Sequence, residues 1–434
     1  MSQADDLTPQ LTAQPGLAAE DLQFVVCHKA LPADVLRLRE RVFRDETRLL
    51  ADANLISKDD ELGTHVCLYH RGLLAAAALG VPAEQSDFPI HTGIPSDQLT
   101  GMYYATRVMV APELRHCGLT ALLVYALFRE GRILGHKSAV GLFSESHAVP
   151  ASLTSAVPFR NLPPLELMGH EGHRFELQAM LADINYGMYR CWRRLPQNLQ
   201  GLVANEMLAD EAIRTVLRET ARFYENPWLQ RVAAGTLTRG QYVEFLANNY
   251  QFVRWTTRIL ARVASLTEDD DLRNHYLHHL NGEIDHEKII ERDLAYLGAD
   301  VEYVRLHMAP NLDIGHFMGV QEALVGFRAD PVNLLAVPLA VESLTAHLSG
   351  QFLTDLEVCA RGWGLAEPAR ATAYLRSHIP LDGGDDGHWE RTRRVFQRFL
   401  KTEPQSQRFV GLVRMVIVAL DRALKSYVEC PDFT

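Results

Sequence analysis

The sequence predicts two domains, a mixed α/β domain followed by an all-α bundle, and three observations carry that reading. At 434 residues the chain is too long for one ordinary core, since domains average about 150 residues. Between residues 22 and 195, short β-branched and aromatic runs alternate with stretches of helical period, as in a sheet flanked by helices. From residue 205 onward almost every segment repeats its apolar residues at helical spacing, and period-two alternation nearly vanishes. The expected division is a polar tail over residues 1–20, a first domain over 21–196 and a second over 206–434.

Each element follows from its residues. The first residues are polar and contain Pro9 and Pro15, which reads as a flexible tail. Strands are expected at 22–27, 64–69, 73–81, 102–110 and 138–143, where β-branched, aromatic and small apolar residues dominate, with helices at 33–43 and 121–134. In the second domain the helical period runs over 241–265, 271–297, 331–361 and 390–429.

Composition narrows the function. Hydrophobic residues make up 47% and charged residues 22%, and the formal charge is −11. An acidic chain repels phosphate backbones, so neither nucleic acid nor an anionic membrane is expected as partner; small molecules and carrier-bound substrates remain. A homodimer is a further expected partner arrangement. The six cysteines are scattered without a CxxC pair, which reads as free thiols in a reducing compartment. No basic and apolar leader begins the chain, and no run reaches the ~18 apolar residues of a membrane span. A cytoplasmic protein is expected.

In the first domain the informative stretch is the strand at 102–110, then Arg115-His116-Cys117-Gly118-Leu119-Thr120, then a helix. Backbone N–H groups at such a helix start form an anion site suited to an acyl carrier's phosphates. Arg115, Gly118, Leu119 and Thr120 are therefore the expected cofactor-binding residues. The strand, turn and helix resemble the GNAT acyltransferase superfamily, whose turn is Arg/Gln-x-x-Gly-x-Gly/Ala; Thr120 departs at the last position. Arg41-Val42-Phe43 with Asp45-Glu46 is similar to the branch of long-chain N-acyl amino acid synthases and acyl-homoserine lactone synthases. The resemblance implies an acyl thioester donor on coenzyme A or acyl carrier protein and an amine acceptor. Such transfer needs a base for the amine proton; Asp45, Glu46, Asp60 and Glu61 are the candidates. Equally, these acids could be a solvated helix face.

In the second domain Glu283 and His286, spaced i,i+3 in a helical stretch, can hold one ion from one face. Glu342 stands in an apolar helix where an unpaired carboxylate is expensive. His378, Asp382, Asp385 and His388 follow at i,i+4 and i,i+3 spacings. This mixed nitrogen and oxygen set suits non-haem iron or manganese. It resembles the haem-oxygenase-like diiron oxidases and oxygenases, whose ligands arrive as a carboxylate and His pair, a later Glu, and His-x-x-x-Asp-x-x-His. The segment from Glu225 to Tyr250 is also similar to the opening helices of that fold and of its thiaminase relatives. The resemblance implies Fe(II), up to two ions. Two departures stand out: His388 is delayed behind Asp385, and His279 occupies the place where some family members carry a Glu. The expected function is a bifunctional biosynthetic enzyme, an N-acyltransferase fused to a non-haem iron oxidase. A metal-free thiaminase-like bundle, a cofactor-independent oxidase, a haem-cleaving enzyme and a non-catalytic ligand-binding bundle are the alternatives.

Overall fold

The computed structural model describes residues 17–144, 149–159, 162–327, 330–348, 350–383 and 387–429. It divides into two compact units, residues 1–207 with 402–404, and residues 208–401 with 405–434.

The first unit is built on a mixed sheet. Its strands are β1 (Leu22–His28), β2 (Thr64–His70), β3 (Leu73–Pro82), β4 (Met102–Val110), β5 (Ser138–Ser144), β6 (Val157–Pro158), β7 (Leu165–Met168) and β8 (Arg174–Asp183). They lie in the order β1-β2-β3-β4-β5-β8-β6, with β7 also beside β8. Every pairing is antiparallel except β4 with β5. That parallel step needs a crossover, which is helix α2 below. Val66, Cys67, Leu68 and the run Ala75–Ala78 are almost wholly buried, and the small alanines let a helix approach β3 closely. Helix α1 (Ala33–Arg39) runs directly into a wider π-type turn over Glu40–Glu46, where a plain helix to residue 43 is expected from the sequence. Helix α2 (Leu119–Ile133) is buried along almost its whole length, and α3 (Ile184–Arg194) and α4 (Gln197–Glu206) follow β8.

One irregularity in the sheet positions a cleft. The register of β4 against β3 slips between Ala77 and Leu79, and within the slip Arg107 adopts φ +54°, a bulge that twists the strand. β4 therefore pairs with β5 only through Met102, Tyr103 and Tyr104. Beyond Tyr104 the strands part. The gap is an apolar cleft of about 330 Å³, counting the part open to solvent, lined by Ala105, Val108, Phe128, Gly141, Phe143 and Met180 among others.

Among the described residues the second unit is entirely helical. Its main helices are α5 (Leu208–Phe223), α6 (Arg239–Leu266), α7 (Asp270–Glu283), α8 (His286–Tyr296), α9 (Leu312–Gly326), α10 (Ala336–His347), α11 (Ala373–Asp382), α12 (His388–Phe396) and α13 (Glu403–Glu429). Their starts are fixed by side chains: Thr238 and Gln241 form a reciprocal capping box on α6, and Asp269 accepts from Leu272 N at 2.9 Å on α7. Helix α10 carries the apolar Ala336, Leu339, Ala340 and Leu344 into the interior and packs against α5, α11 and α12. Among the described residues no single helix is long and apolar enough to cross a membrane.

Candidate functional site

Five helices of the second unit bring their acids and histidines together. Glu283 closes α7 and His286 opens α8; between them Ile284 is extended and Asp285 takes φ +72°. The single continuous helix expected around Glu283 and His286 is thus broken, which Asp tolerates better than most residues because its side chain bonds locally. The two side chains still meet, with His286 Nδ1 3.0 Å from Glu283 Oε2. Glu342 comes from the buried face of α10, His378 and Asp382 from α11, and His388 from the first position of α12. Gly282 leaves room beside them: a Cβ there would sit 2.8 Å from His388 Nε2.

The donors fall into two sets. Glu283, His286 and His378 form one and His279, Glu342 and His388 the other, each with donor atoms within 4.8 Å of one another. Asp382 Oδ1 lies 3.4 Å from His388 Nδ1. That Nδ1 is buried and makes no hydrogen bond. Carboxylates and imidazoles in sets of this kind fit iron or manganese. The surrounding groups orient the donors. His378 Nδ1 lies 3.0 Å from the carbonyl of Tyr374, so that nitrogen is the donating N–H and Nε2 is left with its lone pair. Thr345 Oγ1 donates to Asp382 Oδ2 at 2.5 Å, and Thr392 Oγ1 donates to Glu342 Oε2 at 3.4 Å.

The electrostatics match the geometry. Burial alone would raise Glu283, but hydrogen bonds from His279 and His286 outweigh it and hold the carboxyl well below its usual range. Burial lowers His378, leaving a neutral imidazole. For His279, burial is outweighed by the carboxylates of Glu342 and Glu283, which push it up to about 10; Glu342 is itself raised, by burial. The buried His279–Glu342 pair, 2.8 Å apart, therefore shares a proton.

Of the seven metal-site residues expected from the sequence, six are brought together and Asp385 lies outside the described residues. His279, which is not among the ligands expected from the sequence, joins the second set. Its i,i+4 spacing to Glu283 on one helix face was the available signal.

The acids of the first unit are dispersed. Asp45 is exposed and pairs with Arg44, and Glu61 is exposed. Glu46 receives Arg115, whose NH2 donates to Oε2 at 2.8 Å. Asp60 is buried, and Arg39 grips it with both terminal nitrogens at 2.9 and 3.0 Å. Arg107 NH1 lies 3.4 Å away and His65 Nε2 3.3 Å. Burial pushes Asp60 up, but these partners hold it well below the carboxylate range. Its neighbour Asp59 is raised to about 6, first by burial and then by Asp87. Arg39, Arg107, His65 and Asp59 were not singled out in the sequence, where nothing marks a buried arginine. At the expected phosphate turn Gly118 has φ +85° and is the N-cap of α2, while Leu119 is buried and Thr120 half-buried. A Cβ on Gly118 would meet Pro196 Cδ at 2.9 Å and Leu199 Cδ1 at 3.4 Å.

No family model and no curated protein matches the chain. Solved structures do. A domain of unknown function with a haem oxygenase-like fold from Shewanella denitrificans OS217 is similar at 18% identity and a TM-score of 0.43, over 50% of this chain and 90% of its own. A TenA homologue from Pseudomonas syringae pv. tomato DC3000 is similar at 14% identity and a TM-score of 0.43, over 52% and 93% respectively. The CoA-dependent acyl-homoserine lactone synthase BjaI is similar at 18% identity and a TM-score of 0.32, over 41% of this chain and 91% of its own.

Proposed function

We propose that the chain is a bifunctional biosynthetic enzyme. Its first domain transfers an acyl group from a thioester on coenzyme A or acyl carrier protein to an amine or amino acid. Its second domain oxidises an acyl or amino substrate at non-haem iron with O2. The observation that carries the reading is the pair of donor sets in the helical bundle, all buried but the half-buried His286.

In the bundle, Glu283, His286, His378, Glu342 and His388, with Asp382 alongside, would hold the metal. Iron bound there supplies redox chemistry with O2. The protein's own part is to orient and to exclude water. Tyr374 fixes the His378 ring through its carbonyl, Thr345 and Thr392 fix Asp382 and Glu342, and the apolar face of α10 keeps the site dry.

In the first domain, the cleft where β4 leaves β5 suits an acyl chain, because each methylene moved out of water there gains about 0.8 kcal/mol. Ala105 and Val108, which flank Arg107, line it. Asp60, held ionised by two arginines, is too weak a base to take an amine proton and serves to order the cluster. Asp59, near pH 6, is the acid matched to proton transfer around neutrality.

The test is Glu342→Ala in the full chain, loaded anaerobically with Fe(II). Removing one anionic donor should weaken iron binding at least about tenfold and stop O2 consumption with N-acylated amino acids, while the circular dichroism of the bundle is kept. Unchanged iron affinity would return the domain to a metal-free role.

A further inference from the structure

We propose that Glu283 bridges two metal ions and that His279, one helical turn earlier, ligates the second, making that second site imidazole-rich. The inference rests on the metal reading given above and goes beyond it by assigning a ligand and a shared carboxylate.

The two oxygens of Glu283 face different donor sets. Oε2 lies 3.0 Å from His286 Nδ1, whereas Oε1 lies 3.6 Å from His279 Nε2 and 3.8 Å from His388 Nδ1. A carboxylate placed so, with one oxygen in each set, can hold an ion on either side. His279 has the surroundings of a ligand. The Nδ1 of His279 is buried with no hydrogen-bond partner, and its Nε2 faces the carboxylates of Glu342 at 2.8 Å and Glu283 at 3.6 Å. His388, from another helix, lies close to it, with ring centroids 4.8 Å apart and the rings tilted. Two imidazoles and a carboxylate, with Glu283 completing the set, favour borderline ions such as Fe(II) or Co(II) over Mg²⁺ or Ca²⁺.

The experiment uses the full chain, stripped of metal and titrated anaerobically with Co(II), reading bound ions per chain and the visible absorption of the cobalt. The unmodified protein should bind about two ions, and His279→Ala and His279→Gln about one. The ion left in those variants should be lost when His286→Ala is added. Glu283→Ala should weaken both sites, and the two ions of the unmodified protein should be magnetically coupled through the shared carboxylate. Circular dichroism identifies any variant that fails to fold, and the coupling measurement needs no variant. Two ions in both His279 variants, or two uncoupled ions in the unmodified protein, would overturn the proposal. One ion in the unmodified protein, retained without His279, sinks this inference alone. No bound Co(II) or Fe(II) at all sinks the metal reading with it.

Discussion

Replacing Arg39 by Met tests whether the buried ion cluster holds the first unit together. Arg39 is fully buried, and its guanidinium donates to both oxygens of Asp60 at 2.9 and 3.0 Å and to the carbonyl of Leu55 at 2.5 Å. Met keeps most of the apolar stem, so the change isolates the charge. Removing one partner of a buried pair costs about 3–5 kcal/mol, because the other charge is left desolvated. Here Asp60 keeps Arg107 at 3.4 Å and the N–H of Ser57 at 3.0 Å, which sets the expectation at the low end, about 3 kcal/mol. At about 1.4 kcal/mol per factor of ten, the slowest amides of β2 and β3 should exchange with deuterium roughly a hundredfold faster. Arg39→Lys keeps the charge but loses the two-pronged grip and should fall between. Acceleration of less than about tenfold in Arg39→Met would refute the idea that this cluster stabilises the sheet.

Gly282→Ala should lower iron affinity without removing any donor, because the new methyl would lie 2.8 Å from His388 Nε2 and must push that ring aside; iron content equal to that of the unmodified protein would count against His388 as a ligand. Asp293, fully buried with Oδ1 unpartnered, is raised to about 7 by burial. Its folded pKa exceeds its unfolded one, so its contribution is complete below about pH 4 and is lost as pH rises towards 7. Asp293→Asn should therefore gain about 2 kcal/mol on the unmodified protein between pH 5 and pH 8, read as a widening gap between the two thermal midpoints; a gap independent of pH would contradict the assignment.

Much of this architecture is written in local pattern. The strands expected at 22–27, 64–69 and 102–110 are found at Leu22–His28, Thr64–His70 and Met102–Val110, because β-branched and aromatic runs state their period within a few residues. The helix expected over 271–297 is interrupted at Ile284 and Asp285; neither is Gly or Pro, so no strong breaker marks the place, although Asp can adopt the left-handed conformation found there. Likewise the stretch expected over 331–361 bends at Leu348. Glu342 was legible because a lone acid among apolar neighbours is expensive. His279 was obscured by His275 and His278: the first is buried against Thr392, and the second faces Arg391. Arg39 and Arg107 meet on Asp60 from distant parts of the chain, and no spacing rule announces such a meeting.

The contact at Gly118 changes what the stretch after the first domain is. Pro196 and Leu199 rest against the start of α2, and Leu199, Leu202 and Val203 of α4 are buried, so residues 196–206 belong to the fold they appear to leave. A first domain excised at residue 196 would bare the glycine turn and remove part of its own core. A chain cut after Met207 keeps both. For the same reason a bulky side chain at position 118 collides with the protein before it meets any acyl carrier, so weak donor binding in such a variant would report damage rather than recognition.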